Sequence, residues 1–465
     1  MRQETEPLAG HRLLLALQRT GGASLHEQLE RSLRTEIRSG RLPAGTRLPA
    51  SRTLAQQLAI SRGVVLEAYS QLAAEGYLIA SQGAPTRVAS APSAERAPVP
   101  AATLHRPYRI SLDPGTPDLA GFPWRNWTRS LRVALAGAPF DALGRGDPRG
   151  LPALRDELMS YLSRARAAAP EPEHTLVCSG FSEGFAVLCR TLRDRGVERI
   201  AIEDPGWLSH RLIAQRAGLE TVPVAVDDQG LVVPELWDSG CEVALTTPAH
   251  QFPTGVVLSS QRRAALLEWA EERDGLIVED DYDSELRLDR DAVGALQGVI
   301  PERVAAIGSL SKRLAPGLAL GWILSPSWLT GALTYEKGAA GASPPAIEQA
   351  ALADFLARGA LERHLRRARL ALRERREALL RLLRGRLPQA RVVGIPAGVF
   401  TLAILPEEVD EDRVVSRAAG QGVLVEGLRT HRSIARGRPG LVLGYGNSSP
   451  DALGHGVEVI ADSLV

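Results

Sequence analysis

A short apolar run that ends in a lysine is the most informative part of this sequence: VAAIGSLSK, residues Val304–Lys312. Its first four residues, Val304–Ile307, predict a buried β-strand. Four earlier runs of the same kind alternate with helical patterns: Thr175–Cys178, Arg199–Ile202, Glu242–Thr246 and Gly275–Val278. Strands interleaved with helices predict an α/β fold with a mostly parallel sheet. Functional residues of such sheets lie at the carboxyl ends of the strands, which is where Lys312 falls.

Lysine is rare in this chain. Its 465 residues include 55 lysines and arginines, and only two of these are lysines, Lys312 and Lys337. A lysine amine can form a Schiff base with a carbonyl cofactor, whereas a guanidinium, which stays protonated, cannot. The position of Lys312 after a strand therefore predicts a covalent cofactor site. The surroundings of Lys337, in Tyr335–Gly338, suggest no site, and we interpret it as an incidental surface lysine.

The composition excludes several classes of protein. Hydrophobic residues make up 44% of the chain and charged residues 23%, which argues against wholesale disorder. No apolar run approaches the roughly 18 residues that a membrane helix needs, and the start lacks the pattern of a secretory signal. The three cysteines have no metal-like spacing, so we expect no metal site and a reducing cytoplasm: Cys178, Cys189 and Cys241. The net charge of +1 excludes a generally polycationic nucleic-acid binder but allows a local DNA-binding module.

The first part of the chain has the pattern of a winged helix-turn-helix. Residues 25–40 predict an amphipathic helix whose apolar residues are spaced four apart: Leu25, Leu29, Leu33 and Ile37. A short helix with Ser51 as its N-cap and a second helix with Ser61 as its N-cap follow, and they run to Leu58 and Glu75. Two short strands, Tyr77–Ala80 and Thr86–Ala89, would form the wing. The second helix of such a module enters the major groove of DNA.

Two arginines lie in the first turns of these helices. Arg52 and Arg62 are placed to reach DNA phosphates or guanine edges. From spacing alone, solvated surface arginines on an ordinary helical hairpin are an equally good interpretation. A stretch rich in Ala, Pro and Ser follows the wing and predicts a linker. We therefore divide the chain into a DNA-binding domain at 22–89, a linker at 90–110 and an effector domain at 111–465.

Other residues that a pyridoxal phosphate site needs precede Lys312. Asp280 and Tyr282 are two apart on an extended chain and can point the same way, the first to a ring nitrogen and the second to a ring hydroxyl. Phe181 and Ser182 begin a helix after a strand, where backbone amides could bind a phosphate. Trp207 could stack on a pyridine ring. Taken singly, these residues have simpler interpretations. The acidic cluster around Asp280 would then be a solvated loop or a metal site, with the loop favoured. The start of the helix would be a simple N-cap, and Trp207 would be a packing residue.

The N-terminal motifs resemble the DNA-binding domain of GntR-family regulators. The resemblance rests on GRLPAGTRLPASR at Gly40–Arg52, on Ser61 and Arg62, and on EGYL at Glu75–Leu78. It implies that Arg52, Ser61 and Arg62 contact double-stranded DNA, and that Gly83 at the wing tip approaches the minor groove. Gly63 stands where the family usually has Asn or Thr, which removes one hydrogen bond to DNA.

The rest of the chain is similar to a fold-type I aminotransferase. The order of four motifs narrows the resemblance to the MocR subfamily of GntR regulators: Gly146–Gly150, Thr247–Gly255, Glu279–Tyr282 and Ser309–Lys312. It implies a winged helix fused to an aminotransferase-like domain, in a head-to-tail, domain-swapped homodimer that regulates transcription. It also implies pyridoxal 5'-phosphate as cofactor, held by the residues named above together with Ser309 and Ser311.

The sequence departs from this family at the phosphate and carboxylate positions. Ala319 stands where related proteins usually place a phosphate-binding arginine, and Arg145 stands where they place a tyrosine that reaches the partner subunit's phosphate. We expect Arg145 from the neighbouring chain to replace the missing guanidinium, with Arg313 as the alternative. The late strand Leu441–Gly444 lacks the usual substrate-carboxylate arginine, and Arg438 could instead bind the carboxylate of a small-molecule effector.

Three functions are open at this point. The first is a transcription regulator that senses pyridoxal phosphate or its adduct with an amine, and that controls vitamin B6 or amino-acid and amine metabolism. The second is an active aminotransferase that the N-terminal module tethers to DNA, and the third is the same fold without cofactor binding. The eleven arginines between Arg358 and Arg386 could suggest a second nucleic-acid surface. Because leucines interleave them in a stripe, a solvated outer helix face is the better interpretation.

Overall fold

The structure is a computed structural model. It describes residues 17, 23–80, 84–89, 108–137, 144, 146–289, 293–341, 343–434 and 437–464. The chain forms two compact units, Met1–Leu104 and His105–Val465. The division falls inside the segment that we interpret as a linker.

The first unit is a three-helix module with a two-stranded wing. Its elements are α1 (Leu25–Arg38), α2 (Ser51–Leu58), α3 (Arg62–Ala74), β1 (Leu78–Ile79) and β2 (Arg87–Val88). Strands β1 and β2 pair antiparallel. The core is made by one apolar face from each helix and by one residue of each strand: Leu29, Leu33, Leu54, Val65, Ala68, Leu72, Leu78 and Val88. The predicted order of elements is confirmed.

The two predicted caps of this unit have different outcomes. Ser61 is the N-cap of α3, and its hydroxyl accepts a hydrogen bond of 3.3 Å from the backbone N–H of Val64. Ser51, in contrast, is the first helical residue of α2, and Ala50 is the N-cap. The prediction that Ser51 caps α2 is therefore wrong. Its hydroxyl instead accepts a long hydrogen bond, 3.4 Å, from Nε of Arg62.

The second unit contains fourteen strands and eleven α-helices among the residues that the structure describes. Its strands are β3 (Ile110–Ser111), β4 (Thr175–Cys178), β5 (Arg199–Asp204), β6 (Glu220–Asp227), β7 (Gly230–Leu231), β8 (Val243–Thr246), β9 (Leu276–Asp281), β10 (Val304–Ser309), β11 (Gly321–Leu324), β12 (Arg391–Val393), β13 (Phe400–Ile404), β14 (Val423–Leu424), β15 (Glu426–Gly427) and β16 (Gly440–Gly444). Its helices are α4 (Trp124–Gly137), α5 (Pro152–Arg166), α6 (Phe181–Asp194), α7 (Leu208–Arg216), α8 (Val233–Asp238), α9 (Ser260–Glu272), α10 (Ser327–Ala340), α11 (Ala346–Ala357), α12 (Ala360–Arg386), α13 (Glu411–Gly420) and α14 (Pro450–Leu464).

The large sheet has eight strands in the order β4-β11-β10-β9-β8-β5-β6-β7. The pairs from β10 through β6 are parallel, whereas β11 runs antiparallel to both of its neighbours. The five strands predicted from apolar runs are confirmed within a few residues. Strands β6 and β11 were not predicted. The mostly parallel α/β sheet confirms the predicted fold class.

Helices cover both faces of this sheet. Alternate residues of β9 go to different apolar clusters: Leu276 and Val278 pack with Phe185 of α6, and Ile277 packs with Trp269 of α9. All six residues of β9 are buried, including the three acidic ones at its end. A strand that is covered on both faces reads as a continuous apolar run, which is why these strands were visible in the sequence.

The rest of the second unit contains a smaller antiparallel sheet and the long helix α12. The smaller sheet has the order β12-β13-β16-β15, while β3 pairs with β14 in a separate parallel pair. Leucines of α12 form the predicted buried stripe: Leu361, Leu365, Leu372, Leu379 and Leu383. Its arginines lie mostly on the opposite, exposed side.

Candidate functional site

A cavity of about 200 Å³ lies at the carboxyl ends of the large sheet's strands. The residues that line it come from the ends of β9 and β10, from the loops that follow β4, β5, β9 and β10, and from the first turns of α6 and α7: Ser179, Gly180, Phe181, Ser182, Trp207, Ser209, His210, Asp280, Tyr282, Ser309, Ser311 and Lys312. Eight of the ten residues predicted to bind the cofactor are among them. Parallel strands bring these loops to one edge although they are far apart in sequence.

Lys312 lies just after β10, beside the N-terminal segment of the second unit. Its Nζ donates a hydrogen bond to the carbonyl of Gly115 and lies 5.4 Å from the ring centroid of Trp207. Burial lowers the pKa of Lys312, and the carboxylates of Asp113 and Asp283 oppose this shift. A lowered pKa increases the fraction of neutral amine, which is the nucleophilic form.

Asp280 is the buried acid of the cavity. Its side chain is 4% exposed, and its Oδ2 lies 3.2 Å from Nε2 of His210. The other oxygen, Oδ1, has no hydrogen-bond partner among the described residues. Burial raises the pKa of Asp280, and the contact with His210 opposes the shift. A buried acceptor without a partner is costly, so this oxygen is suited to a donor on a bound ring.

Tyr282 is held by a buried network behind the cavity. Its hydroxyl donates a 2.6 Å hydrogen bond to the carbonyl of His250. Nδ1 of His250 lies 2.8 Å from Oδ2 of Asp283, and both side chains are buried. The His250 ring also stacks on Phe400, with centroids 4.9 Å apart. These contacts leave the phenol of Tyr282 in a fixed position at the cavity wall.

Trp207 presents one face of its indole to another aromatic ring. It stacks on Phe252 with centroids 3.4 Å apart and planes at 6°. Phe252 is itself 1% exposed and belongs to the Thr247–Gly255 motif. The indole is thus supported from behind by Phe252, and it lines the cavity as predicted.

The opposite end of the cavity has the character of an anion site. Helix α6 begins there at Phe181, after Gly180 at φ 96°, a left-handed conformation that favours glycine. The first turn of a helix offers free backbone N–H groups and the positive end of its dipole. Serine hydroxyls line the same cavity: Ser179, Ser182, Ser209, Ser309 and Ser311. No arginine lines it among the residues that the structure describes.

Comparison with known proteins identifies the chain. The family model for bacterial regulatory proteins of the gntR family matches residues 25–88, and the model for aminotransferase class I and II matches residues 115–438. The chain is 31% identical to the probable rhizopine catabolism regulatory protein MocR of Rhizobium meliloti, over 97% of this chain and 96% of that protein. The chain belongs to the MocR subfamily of GntR-family transcription regulators.

Further relatives agree with this assignment. The MocR-type chain is 34% identical to the HTH-type pyridoxine biosynthesis transcriptional regulator PdxR of Corynebacterium glutamicum, over 97% of this chain and 98% of that protein. It is 32% identical to the HTH-type transcriptional regulator TauR of Rhodobacter capsulatus, over 96% of this chain and 97% of that protein. Because these relatives are named as regulators, a regulatory role is favoured over an enzymatic one.

Solved structures confirm the fold of the second unit. An archaeal alanine:glyoxylate aminotransferase superposes with a TM-score of 0.71 and 27% identity, over 76% of this chain and 90% of that chain. An aspartate aminotransferase of Thermus thermophilus superposes with a TM-score of 0.67 and 24% identity, over 76% of this chain and 91% of that chain. The MocR regulator therefore combines a GntR helix-turn-helix with a fold-type I aminotransferase domain, a family that depends on pyridoxal phosphate.

Arg313 does not line the cofactor cavity, which corrects its prediction as an alternative phosphate ligand. Its guanidinium is fully buried behind the cavity, with Nε donating to Glu285 at 2.8 Å and Nη2 3.3 Å from Oδ2 of Asp281. Nη1 donates to the carbonyl of Ser309 at 2.8 Å. Because carboxylates and backbone carbonyls of the protein surround its guanidinium, Arg313 holds the turn after β10 in place instead of facing the cofactor cavity.

The other positions that depart from the family do not line the cavity or are outside the described residues. Arg438 is exposed and does not line the cavity, so the structure does not bring it to the predicted effector site. Ala319 is an exposed residue in a left-handed conformation, φ 47°. Arg145 lies outside the described residues, and its predicted role stays a prediction.

Lys337 corrects another prediction. It was expected to be an incidental surface lysine, but its side chain is fully buried on α10. Its Nζ lies 3.4 Å from Oε1 of Glu183 on α6. Residues 154 positions apart form this ion pair, so nothing in the local sequence around Lys337 revealed it.

The predicted DNA-binding side chains of the MocR regulator lie on the exposed surface of the first unit. Arg52, Ser61 and Arg62 are all exposed, in the first turns of α2 and α3 or at the cap of α3. Gly63 has open space beside it, with the Ser61 hydroxyl 3.7 Å from an added Cβ. Gly83 lies outside the described residues.

Three residues of the site were missed in the sequence. His210 supports Asp280 from α7, Ser209 adds a hydroxyl to the cavity wall, and Asp113 is the carboxylate with the largest effect on Lys312. His210 follows Trp207 by three residues, a spacing that places both on one side of a helix turn. That spacing was the only signal in the sequence for any of the three.

The described part of the chain has no helix long and apolar enough to cross a membrane. It also has no group of three or more His, Cys, Asp or Glu side chains arranged to bind a metal ion.

Proposed function

We propose that this MocR regulator binds pyridoxal 5'-phosphate in the cavity beside Lys312, and that binding changes its affinity for operator DNA. The main observation in support is that one cavity at the ends of parallel strands is lined by Lys312, Asp280, Tyr282 and Trp207. When bound, the cofactor supplies an aldehyde for the lysine amine and a chromophore in the visible range.

The residues of the cavity fit this cofactor. The unpartnered Oδ1 of Asp280 is a buried acceptor for a protonated ring nitrogen, and His210 holds the other oxygen. The hydroxyl of Tyr282 donates its proton to the carbonyl of His250 and can accept a hydrogen bond from a ring hydroxyl. Trp207 offers a flat surface backed by Phe252. The N-terminus of α6 and the serine hydroxyls can hold the phosphate group.

The phosphate end lacks an arginine among the described residues, and this supports a contribution from a second subunit. We propose that the regulator is a domain-swapped, head-to-tail homodimer in which Arg145 reaches the neighbouring cavity. An Arg145→Ala variant should then bind the cofactor more weakly than the parent. Equal affinity of the two proteins would contradict this role.

The winged helix-turn-helix supplies the DNA-binding surface. We propose that Arg52, Ser61 and Arg62 contact the operator, since all three are exposed at the ends of helices that such modules direct to DNA. The name of the Corynebacterium relative indicates pyridoxine biosynthesis as its target. We propose vitamin B6 metabolism as the leading target of this regulator too, with amino-acid or amine metabolism as the second candidate.

The test is to sequence the genomic DNA that the purified full-length protein captures, with and without pyridoxal phosphate. We expect a small set of recurring sites whose capture depends on the cofactor, and an Arg62→Ala variant should lose them. The Lys312→Ala variant should capture the same sites but no longer respond to the cofactor. Identical capture by the parent with and without pyridoxal phosphate would contradict the proposed sensing role.

A further inference from the structure

A second cavity, of about 450 Å³, lies between the end of α5 and the first turns of α12. It shares no lining residue with the cofactor cavity. Four arginines line it: Arg164, Arg166, Arg366 and Arg369. Its volume is within the range of about 300–1,000 Å³ that small-molecule sites usually have.

Arg166 is the buried arginine of this cavity. Its side chain is 1% exposed, and its Nε lies 2.7 Å from Oδ2 of Asp281. Nη1 donates to the carbonyl of Val293, whereas Nη2 has no hydrogen-bond partner among the described residues. An unsatisfied donor on a buried guanidinium is unfavourable, and a ligand oxygen could satisfy it.

The charges around the cavity do not balance. Glu285 is already paired with Arg313 at 2.7 Å, and Tyr161 donates to its other oxygen at 2.8 Å. Glu362 is paired with Arg164 at 3.4 Å, and Asp281 with Arg166. Arg366 and Arg369 make no ion pair with any described residue. The lining therefore has two uncompensated positive charges.

We propose that this cavity binds a small phosphorylated ligand, a phosphate monoester or a diphosphate. Two free guanidinium groups match a phosphate dianion in charge, and their planar donors match its oxygen atoms. The buried positions of Arg166 and Tyr161 favour a small ligand over the phosphates of duplex DNA, because a duplex cannot enter a cavity of this size. Nothing in this proposal requires that the first cavity bind pyridoxal phosphate.

The second cavity lies on the other side of β9 from the cofactor cavity. Asp280 faces His210 and the cofactor cavity, while its neighbour Asp281 contacts Arg166. Although burial opposes it, Arg166 and Arg313 lower the pKa of Asp281 to about 2, so its carboxylate stays charged. A ligand at this cavity would thus contact Arg166, which is paired with Asp281 on β9, the same strand that supplies Asp280 to the cofactor cavity.

Inorganic pyrophosphate is the probe for this site. The full-length protein, first saturated with pyridoxal phosphate, is titrated with pyrophosphate by isothermal calorimetry. We expect one saturable site per chain, and an Arg366→Gln/Arg369→Gln variant should bind at least about tenfold more weakly, because two charge-assisted contacts are lost. The matched control is Arg384→Gln, an exposed arginine of the same helix outside the cavity, which should bind like the parent.

Three results would overturn the proposal. One is an unchanged affinity in the double variant, and another is an equal loss in Arg384→Gln, which would indicate general charge attraction. The third is a double variant that loses operator DNA while it still binds pyrophosphate normally, which would assign these arginines to nucleic acid. The Lys312→Ala variant should retain pyrophosphate binding, so failure of the cofactor proposal is distinguishable from failure of this one.

Discussion

Lys337 is fully buried whereas Lys312 is only partly buried, and the surroundings of the two lysines differ in kind. The side chain of Lys337 is fully enclosed between α10 and α6 and lies 3.4 Å from the carboxylate of Glu183. Lys312 lies at the wall of a cavity and donates to the carbonyl of Gly115, and no carboxylate of the described residues is within ion-pair distance of its Nζ. The first amine is tied to a fixed charge and the second is available to a ligand.

This difference shows how burial can serve structure or chemistry. A buried amine with a carboxylate at contact distance is held in one position by that partner, as Lys337 is by Glu183. A partly buried amine whose nearest carboxylates stand further off has its pKa lowered by burial, and this is the case for Lys312. We therefore expect substitutions at Lys312 to remove ligand chemistry and substitutions at Lys337 to reduce stability.

The largest effect is expected at Lys312. At saturating pyridoxal phosphate, the Lys312→Ala and Lys312→Arg variants should lack the visible band of the lysine adduct and show only the absorption of the free aldehyde, because neither can form the covalent bond. The band is measured by absorption spectroscopy against the parent protein. Lys337→Met serves as the control and should retain a band of full height. A normal band in Lys312→Arg would contradict the assignment of Lys312, and not Lys337, as the lysine that bonds to the cofactor.

The next effect is expected at Lys337. The Lys337→Ala variant should lower the free energy of unfolding by about 3 kcal/mol, because it leaves Glu183 without its cation and opens a cavity. Urea denaturation followed by circular dichroism measures the loss. The double variant Glu183→Gln/Lys337→Met, which removes both charges and keeps the volume, should recover part of it. A Lys337→Ala protein as stable as the parent would contradict a structural role.

A smaller effect than that of the Lys312 substitutions is expected at Asp280, the proposed partner of the cofactor ring. Asp280→Asn should leave the visible band in place but weaken pyridoxal phosphate binding by about tenfold to a hundredfold, since a charge-assisted hydrogen bond becomes a neutral one. Fluorescence titration measures the dissociation constant. Asp228→Asn, an exposed acid outside the cavity, should bind like the parent. Equal affinity in Asp280→Asn and Asp228→Asn would remove Asp280 from the site.

The smallest effect concerns the pH dependence of Lys312. Its pKa lies below the usual 10.5 because of burial, and Asp113 is the carboxylate that opposes this shift most. Asp113→Asn should therefore lower the pKa further, so that neutral amine is present at lower pH. The rate at which the visible band forms, measured between roughly pH 6 and 10, should have its midpoint at a lower pH than in the parent. A midpoint that moves upward would contradict the role of Asp113.

Much of the site was predictable because it depends on strand ends. Apolar runs revealed β9 and β10, and the residues at or just after their ends, Asp280, Tyr282 and Lys312, line the cavity as expected. His210 and Asp113 were not predicted because each is far in sequence from the residue that it affects. His210 precedes Asp280 by about 70 residues, and Asp113 precedes Lys312 by about 200 residues. Such contacts have no periodic signature in the chain.

The direction of a side chain was harder to predict where two neighbouring residues point to different places. Lys312 and Arg313 are adjacent, yet the first faces the cavity and the second is buried against Glu285 behind it. Predicting Arg313 as a phosphate ligand failed because sequence proximity to a functional residue does not specify the direction of a side chain. The same reason explains Lys337, whose partner Glu183 is on a different helix.

The amino-acid sequence by itself determined five strands of the large sheet, the winged helix-turn-helix module and the chemical identity of the reactive amine. These follow from hydrophobic spacing, helix boundaries and the choice of lysine over arginine, all of which are local. Only the tertiary structure decided which charged side chains are buried together and which face a cavity. Those outcomes depend on the loss of solvent around each charge, and that loss is set by segments far apart in the chain.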